Sequence, residues 1–230
     1  MQGKKKKVLI ALNTTWNLVN FRSGLIRALI DAGYEARIVE VALDNNRLYI
    51  IYIGYYEDCM LEDVCNEIIE HVETQRSSDL NQSTYSSHKG LSEENQRVLM
   101  DEVWFRNGEK FYDSFKLAFN NVINRYSKEH KFFSCQRHTD FRLNKYDEGG
   151  FMSTHCDNIH HSHGQEYGFP QVTALLFLND DYVGGEFVVA GEIYNTKKGS
   201  GIIFPSNFIY PHEGLPITKG TRWSALTWLM

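Results

Sequence analysis

Residues 145–157 read KYDEGGFMSTHCD and residues 171–189 read QVTALLFLNDDYVGGEFVV, and together they decide how the second half of this 230-residue chain folds. Each is a short apolar run rich in β-branched and aromatic residues, broken by Gly, Asn or Asp. The texture continues through KKGSGIIFPS (197–206) and HEGLPITKGTRWSALTW (212–228). Short strands separated by turn residues predict a sandwich or jelly roll over residues 132–230. The first run ends on His155-Cys156-Asp157, and His212 follows 55 residues after Asp157. Alternate residues of a strand share a face, so the spacing predicts His155 and Asp157 facing one point with Cys156 turned away.

Two imidazoles and one carboxylate on a β scaffold are the ligand set of a non-haem Fe(II) centre, because they occupy one face of an octahedron and leave three positions open. The His-x-Asp spacing is not specific by itself. His138 and Asp140 repeat it, and these two are assigned to surface or strand-edge roles. What separates the pairs is context: Tyr146 lies nine residues before His155, Arg222 ten after His212, and Ser224 two further on, on the face of Arg222.

In that order these residues resemble the prolyl 4-hydroxylase-like branch of the Fe(II)/2-oxoglutarate dioxygenases, closely over residues 143–230 and more loosely, as helical support, over 49–142. The resemblance implies a double-stranded β-helix with His155, Asp157 and His212 as metal ligands, and with these three and Arg222 as the catalytic set. It implies Fe(II), 2-oxoglutarate and O2, with L-ascorbate as a reductant, and hydroxylation of a C–H bond with release of succinate and CO2. The planar, permanently charged fork of Arg222 suits the distal carboxylate of 2-oxoglutarate. Ser224 and Tyr146 offer hydroxyls to it, and Thr173 is a further candidate on the 171–178 strand. Trp223, Trp228, Phe204 and Phe177 are expected to form a dry wall. Peptidyl proline is the first substrate the resemblance suggests, with free amino acids and other small molecules open. A second reading is a non-catalytic barrel that binds a ligand.

The run VLIALNTTWNLVNFRSGLIRALIDAGYEARIVEV (8–41) predicts strand 5–12, helix 20–32 capped by Gly33, and strand 36–43. It resembles the N-terminus of glycosyltransferases built from two Rossmann-like domains, and the resemblance stops at Asp44. A sugar-transferring function would need a second domain that nothing later in the chain resembles. The expected organisation is therefore α+β: a β-α-β glycosyltransferase-like fragment over 1–46, then a dioxygenase domain over 47–230. In the latter, residues 47–131 give helical support and 132–230 the β-helix (jelly-roll) core.

Between these parts LYIIYIGYY (48–56) reads as a strand. Residues 61–73 form an amphipathic helix through Leu61, Val64, Cys65, Ile68, Ile69 and Val72. Residues 75–90 are polar and read as a mobile loop, and a helix is expected to begin near Ser92. Residues 109–127 carry Phe111, Phe115, Phe119, Val122, Ile123 and Tyr126 at helical spacing, a pattern that fits packing on a sheet. Residues 158–169, including His160, His161 and His163, are expected to form a solvated loop able to act as a lid.

The net charge of −5 disfavours a nucleic-acid partner, whose phosphates call for a basic surface. Lys4 to Lys7 precede five apolar residues before Asn13 intervenes, short of a secretory core, and no stretch reaches the ~18 apolar residues of a membrane span. A soluble, cytoplasmic protein acting on a small-molecule or peptide substrate is expected. Cys59, Cys65, Cys135 and Cys156 lack paired or zinc-type spacing and are read as reduced thiols, Cys156 as a packed one.

Overall fold

A computed structural model describes residues 7–11, 35–39, 52–83, 97–159 and 170–230. The chain divides into two compact units, Met1–Leu48 and Tyr49–Met230. In the first, β1 (Lys7–Ala11) pairs in parallel with β2 (Glu35–Val39), Lys7 opposite Glu35. A parallel pair needs a crossover of a dozen or more residues, and residues 12–34 are long enough for one. The helix expected over 20–32 lies outside the described residues.

The second unit is built on two facing sheets. Its strands are β3 (Gly54–Tyr56), β4 (Asn81–Gln82), β5 (Val98–Leu99), β6 (Asp101–Phe105), β7 (Phe141–Tyr146), β8 (Phe151–His155), β9 (Val172–Phe177) and β10 (Val183–Gly184). They continue with β11 (Phe187–Val189), β12 (Glu192–Tyr194), β13 (Gly201–Pro205), β14 (His212–Gly214), β15 (Ile217–Lys219) and β16 (Arg222–Leu229). Seven form one sheet in the order β3-β13-β9-β16-β7-β6-β4, and five form the other, β12-β11-β14-β8-β5. A short β10–β15 ribbon stands apart. This is the expected jelly roll with supporting helices.

Alternation along the large sheet explains both of its faces. Ala174, Leu176, Ile203, Trp223 and Ala225 point outward into a core shared with the helices α1 (Glu62–Gln75) and α2 (Tyr112–Glu129). Leu175, Phe177, Ile202, Phe204, Leu226 and Trp228 point inward and meet Phe187 and Val189 of the small sheet. β9 and β16 are covered on both faces and buried along their whole length, β9 as a largely apolar run and β16 with Arg222 and Ser224 turned to the inner face. On the helices Cys65, Ile68 and Val72, and Phe115, Ala118, Phe119, Val122 and Tyr126, are the buried positions. Each large side chain so buried is worth about 1.5–3 kcal/mol. The stack of Phe119 on Phe141, with ring centroids 5.1 Å apart, ties α2 to β7.

Several expectations need correction. Trp223 lies on the outer face, opposite Arg222 and Ser224 in the alternation, so it packs under the helices and is not part of the cavity wall. The second helix begins at Tyr112 because Glu109 is used before it: its Oε2 accepts from the Arg106 N–H at 3.0 Å and from Arg76 Nη1 at 3.2 Å. Residues 76–82 are not loop but a 3-10 turn and β4, which pairs with β6. Strands β5 and β6 join the two sheets from within the segment read as helical support. Of the strand expected over 48–56, Gly54–Tyr56 is extended. Residues 84–96, with the expected helix start near Ser92, and 160–169, with His160, His161, His163 and most of the expected lid, lie outside the described residues.

Candidate functional site

His155 is the last residue of β8 and His212 the first of β14, and the two are directly opposite in the antiparallel register. Their ring centroids lie 4.2 Å apart. Asp157 does not sit on the strand as its spacing predicted. The chain leaves β8 after His155 and Asp157 opens a 3-10 turn, so its carboxylate reaches the imidazoles from the side. Asp157 Oδ1 is 3.4 Å from His155 Nε2 and Oδ2 is 3.5 Å from His212 Nε2. One ligating atom from each of the three falls within 4.8 Å of the others.

Hydrogen bonds orient each member. His155 Nδ1 faces the Ser153 carbonyl at 2.8 Å and His212 Nδ1 the Tyr210 carbonyl at 3.2 Å. A carbonyl can only accept, so each Nδ1 carries the proton and each Nε2 turns a lone pair toward Asp157. Thr173 Oγ1 donates to Asp157 Oδ2 at 2.6 Å; having given its one hydrogen, it accepts from Ser206 Oγ at 2.8 Å. Thr173 thus positions the carboxylate and stands away from the far end of the cavity where a cosubstrate role would put it.

Burial drives the His212 imidazole down to about 4, against the opposing pull of Asp157, so the ring is neutral near pH 7. Burial alone would raise the Asp157 carboxyl, but His212, then His155 and Thr173, outweigh it and hold it well below the usual range. The Nε2 atoms of two imidazoles and a carboxylate therefore converge on one point, a donor set that suits a cation. Cys156 is buried and points elsewhere; burial, then Asp157, pushes its thiol up, away from a reactive thiolate.

The cavity extends from this triad to Arg222, and its lining includes Asn144, Tyr146, Thr173 and Ser224. In the register of β7 and β16, Arg222 faces Tyr146 and Ser224 faces Asn144. The Arg222 guanidinium lies 4.1 Å over the Tyr146 ring, and its Nη1 donates to the Gly185 carbonyl at 2.5 Å. Its Nε has no acceptor, and among the described residues no carboxylate pairs with it, although Arg222 is only 2 % exposed. Gly214 makes room for it: a Cβ there would come within 2.6 Å of Nη2. A buried cation without a counter-charge is costly, so the pocket is organised for an anion that enters it.

Of the residues singled out by sequence, the structure brings together His155, Asp157, His212, Arg222, Ser224, Tyr146 and Thr173 around one cavity. His138 lies apart, exposed and stacked on Phe141. Sequence reasoning missed Asn144, buried with Oδ1 unpartnered, and Arg142 and Ser206. The first two lie two and four residues before Tyr146 on one strand, so the alternation applied to His155 would have found them.

Comparison with known proteins agrees with this geometry. Residues 141–230 match the model of the 2OG-Fe(II) oxygenase superfamily. A PKHD-type hydroxylase of Rippkaea orientalis is 36% identical over 93 residues, covering 38% of this chain and 40% of that protein. The chain thus spans about two fifths of the length of this curated relative. A prolyl-4-hydroxylase of Pseudomonas putida superposes with a TM-score of 0.60 at 16% identity, over 77% of this chain and 91% of that one. A Trichoplax adhaerens prolyl hydroxylase, in complex with a hypoxia inducible factor peptide fragment, gives 0.61 at 16% identity over 94% and 93%. These two likenesses are of fold. The family match spans β7 to β16, the strands that carry His155, His212 and Arg222, and over them the chain is similar to the 2OG-Fe(II) oxygenase superfamily.

Proposed function

We propose that the chain is an iron(II)- and 2-oxoglutarate-dependent dioxygenase that hydroxylates a C–H bond of a peptidyl proline, an amino acid or another small substrate. The observation that carries this reading is the pairing, in one cavity, of a three-donor cation site with a buried guanidinium that lacks a carboxylate partner among the described residues. A metal-binding fold without this chemistry would have no use for Arg222 at that depth.

His155 Nε2, His212 Nε2 and an Asp157 oxygen would hold Fe(II), with the Ser153 and Tyr210 carbonyls and Thr173 fixing their orientation. Arg222 would grip the distal carboxylate of 2-oxoglutarate through its unpartnered Nε–H and Nη2, aided by the Ser224 and Tyr146 hydroxyls and by Asn144. Fe(II) held there would, with 2-oxoglutarate and O2, supply the oxidising power for hydroxylation, with succinate and CO2 as co-products. The protein orients the partners and excludes water, with Leu175, Phe177, Phe187 and Leu226 as the apolar lining.

L-ascorbate as a reductant for stalled iron belongs to this reading, as does a reducing compartment such as the cytoplasm, which suits four free cysteines and ferrous iron. Among the described residues no helix is long and apolar enough to cross a membrane. A peptide substrate is supported by the peptide in the Trichoplax complex, although that likeness is one of fold. Residues 1–46 are read as an appendage derived from a glycosyltransferase-like fragment, which implies that deleting them leaves oxygenase activity in place. Titration of the anaerobic protein with 2-oxoglutarate, with and without Fe(II), tests the reading: binding is expected to depend on iron and to be lost in Arg222→Ala. Iron-independent binding of equal strength in both would reject it.

A further inference from the structure

We infer that Arg142, with Glu102 beside it, anchors a carboxylate of the primary substrate, so that the substrate is a free amino acid or another small carboxylic acid; this deepens the dioxygenase reading and rests on it. Arg142, Asn144 and Tyr146 alternate along β7 and line the same cavity as the triad. The register fixes their heights: Tyr146 is level with Arg222, Asn144 with Ser224, and Arg142 with Leu226. Four residues of strand, about 13 Å, therefore separate the levels of the two arginines.

Leu226 is in turn opposite Leu175, and Trp228 opposite Thr173, whose hydroxyl holds Asp157. Arg142 thus stands one inward row from the level of the metal-side carboxylate, while Arg222 stands three rows from it. One guanidinium serves the cosubstrate end, and the other faces the end where a substrate must approach.

The surroundings of Arg142 are incomplete. Its side chain is 11% exposed, and its one ion-pair partner among the described residues is Glu102, itself 23% exposed, at an Nη1–Oε2 distance of 3.4 Å. The guanidinium lies 5.0 Å over the Trp228 ring, and Nε has no acceptor. A divalent cation and Arg222 balance Asp157 and a dianionic cosubstrate, which leaves Arg142 to a single ion pair with the partly solvated Glu102, with its Nε–H still without an acceptor. Beyond Trp228 a groove of about 870 Å³ is lined by Trp104, Arg106, Arg137, His138 and Asp140, with Asp140 paired to Arg106 at 3.7 Å. An internal peptide segment would offer the Arg142 fork no charge, whereas a carboxylate accepts two parallel N–H bonds from it.

The competing account is a strut: Arg142–Glu102 merely ties β7 to β6. The full chain, loaded anaerobically with Fe(II) and 2-oxoglutarate, separates the two accounts by calorimetric titration. The probes are the common L-amino acids, the same compounds as carboxamides, and an end-blocked proline-containing peptide. At least one free acid is expected to bind about tenfold or more tightly than its amide. Arg142→Met should remove that preference with 2-oxoglutarate binding intact, Arg142→Lys should restore part of it, and Glu102→Gln should keep the acid-over-amide preference. Equal binding of acids and amides, binding of the blocked peptide alone, or no binding by any probe to the loaded protein overturns the inference. Equal loss in Glu102→Gln and Arg142→Met assigns the pair to the strut and overturns it too. Failure of 2-oxoglutarate itself to bind the wild type is a separate result, which rejects the dioxygenase reading and the inference with it.

Discussion

The Thr173 hydroxyl donates to Asp157 Oδ2 at 2.6 Å, across 16 residues of chain, and so couples the middle of the large sheet to the turn that follows β8. This bond aims the carboxylate at the imidazoles, which the strand geometry alone does not do. Thr173→Val keeps the shape and removes the donor. It is expected to weaken Fe(II) affinity by roughly 10- to 100-fold, as loss of an orienting partner to a metal ligand does, with Thr173→Ser close to wild type. Metal titration of the anaerobic protein measures this; unchanged affinity in Thr173→Val would remove Thr173 from its positioning role.

Arg222 is buried without a carboxylate partner among the described residues, which makes opposite predictions for the empty and the loaded protein. Arg222→Met should raise the apparent 2-oxoglutarate dissociation constant by roughly 100-fold, equivalent to about 3 kcal/mol. In the absence of ligand it should be neutral or slightly stabilising, because an uncompensated buried charge has been removed. Thermal melts with and without 2-oxoglutarate test both halves.

Gly214 provides a gentler perturbation of the same site. A Cβ at this position would press on Arg222 Nη2, and the guanidinium is already fixed by the Gly185 carbonyl and the Tyr146 ring. Gly214→Ala should therefore weaken 2-oxoglutarate binding while leaving Fe(II) affinity near wild type. Equal loss of both would mean that the strand carrying His212 has moved.

The metal-free protein should lose stability on mild acidification. Burial lowers the His212 imidazole from 6.5 to about 4, so the unfolded chain takes up this proton before the folded one. The stability contributed by neutral His212 is fully present above pH ~6.5 and is lost as pH falls toward 4, by up to about 3 kcal/mol at ~1.4 kcal/mol per unit. Below that, Asp157, held well under its usual value, extends the loss. Denaturant unfolding across this range should show the slope, and His212→Gln should flatten it between pH 6.5 and 4.

How much of this was legible in the sequence depends on which interaction placed each residue. Alternation within a strand is local, so Arg222 with Ser224, and Thr173 on an inner face, followed from spacing. The same rule misassigned Asp157, because the chain leaves the sheet right after His155, and it would have moved Trp223 to the outer face had it been applied there. The meeting of His155 with His212 rests on a register between strands far apart in sequence, which the motif order implies and which spacing alone does not specify. Strands β5 and β6 went unread because their pairing partners, β8 and β7, lie about 40 or more residues downstream and their own runs are short. Arg142 and Asn144 carry no motif spacing of their own, and only the alternation of β7 from Tyr146 marks them as facing the cavity.

The central claim is that His155, Asp157 and His212 hold iron for turnover of 2-oxoglutarate. Its most direct test is succinate formation by anaerobically purified protein given 2-oxoglutarate and then O2, with and without Fe(II), wild type beside His212→Ala. The account predicts iron-dependent succinate from the wild type, raised further by substrate, and none above background from a folded His212→Ala. Succinate formation at the wild-type rate by that variant, or none by an iron-loaded wild type in the presence of peptide and amino-acid pools, would contradict it.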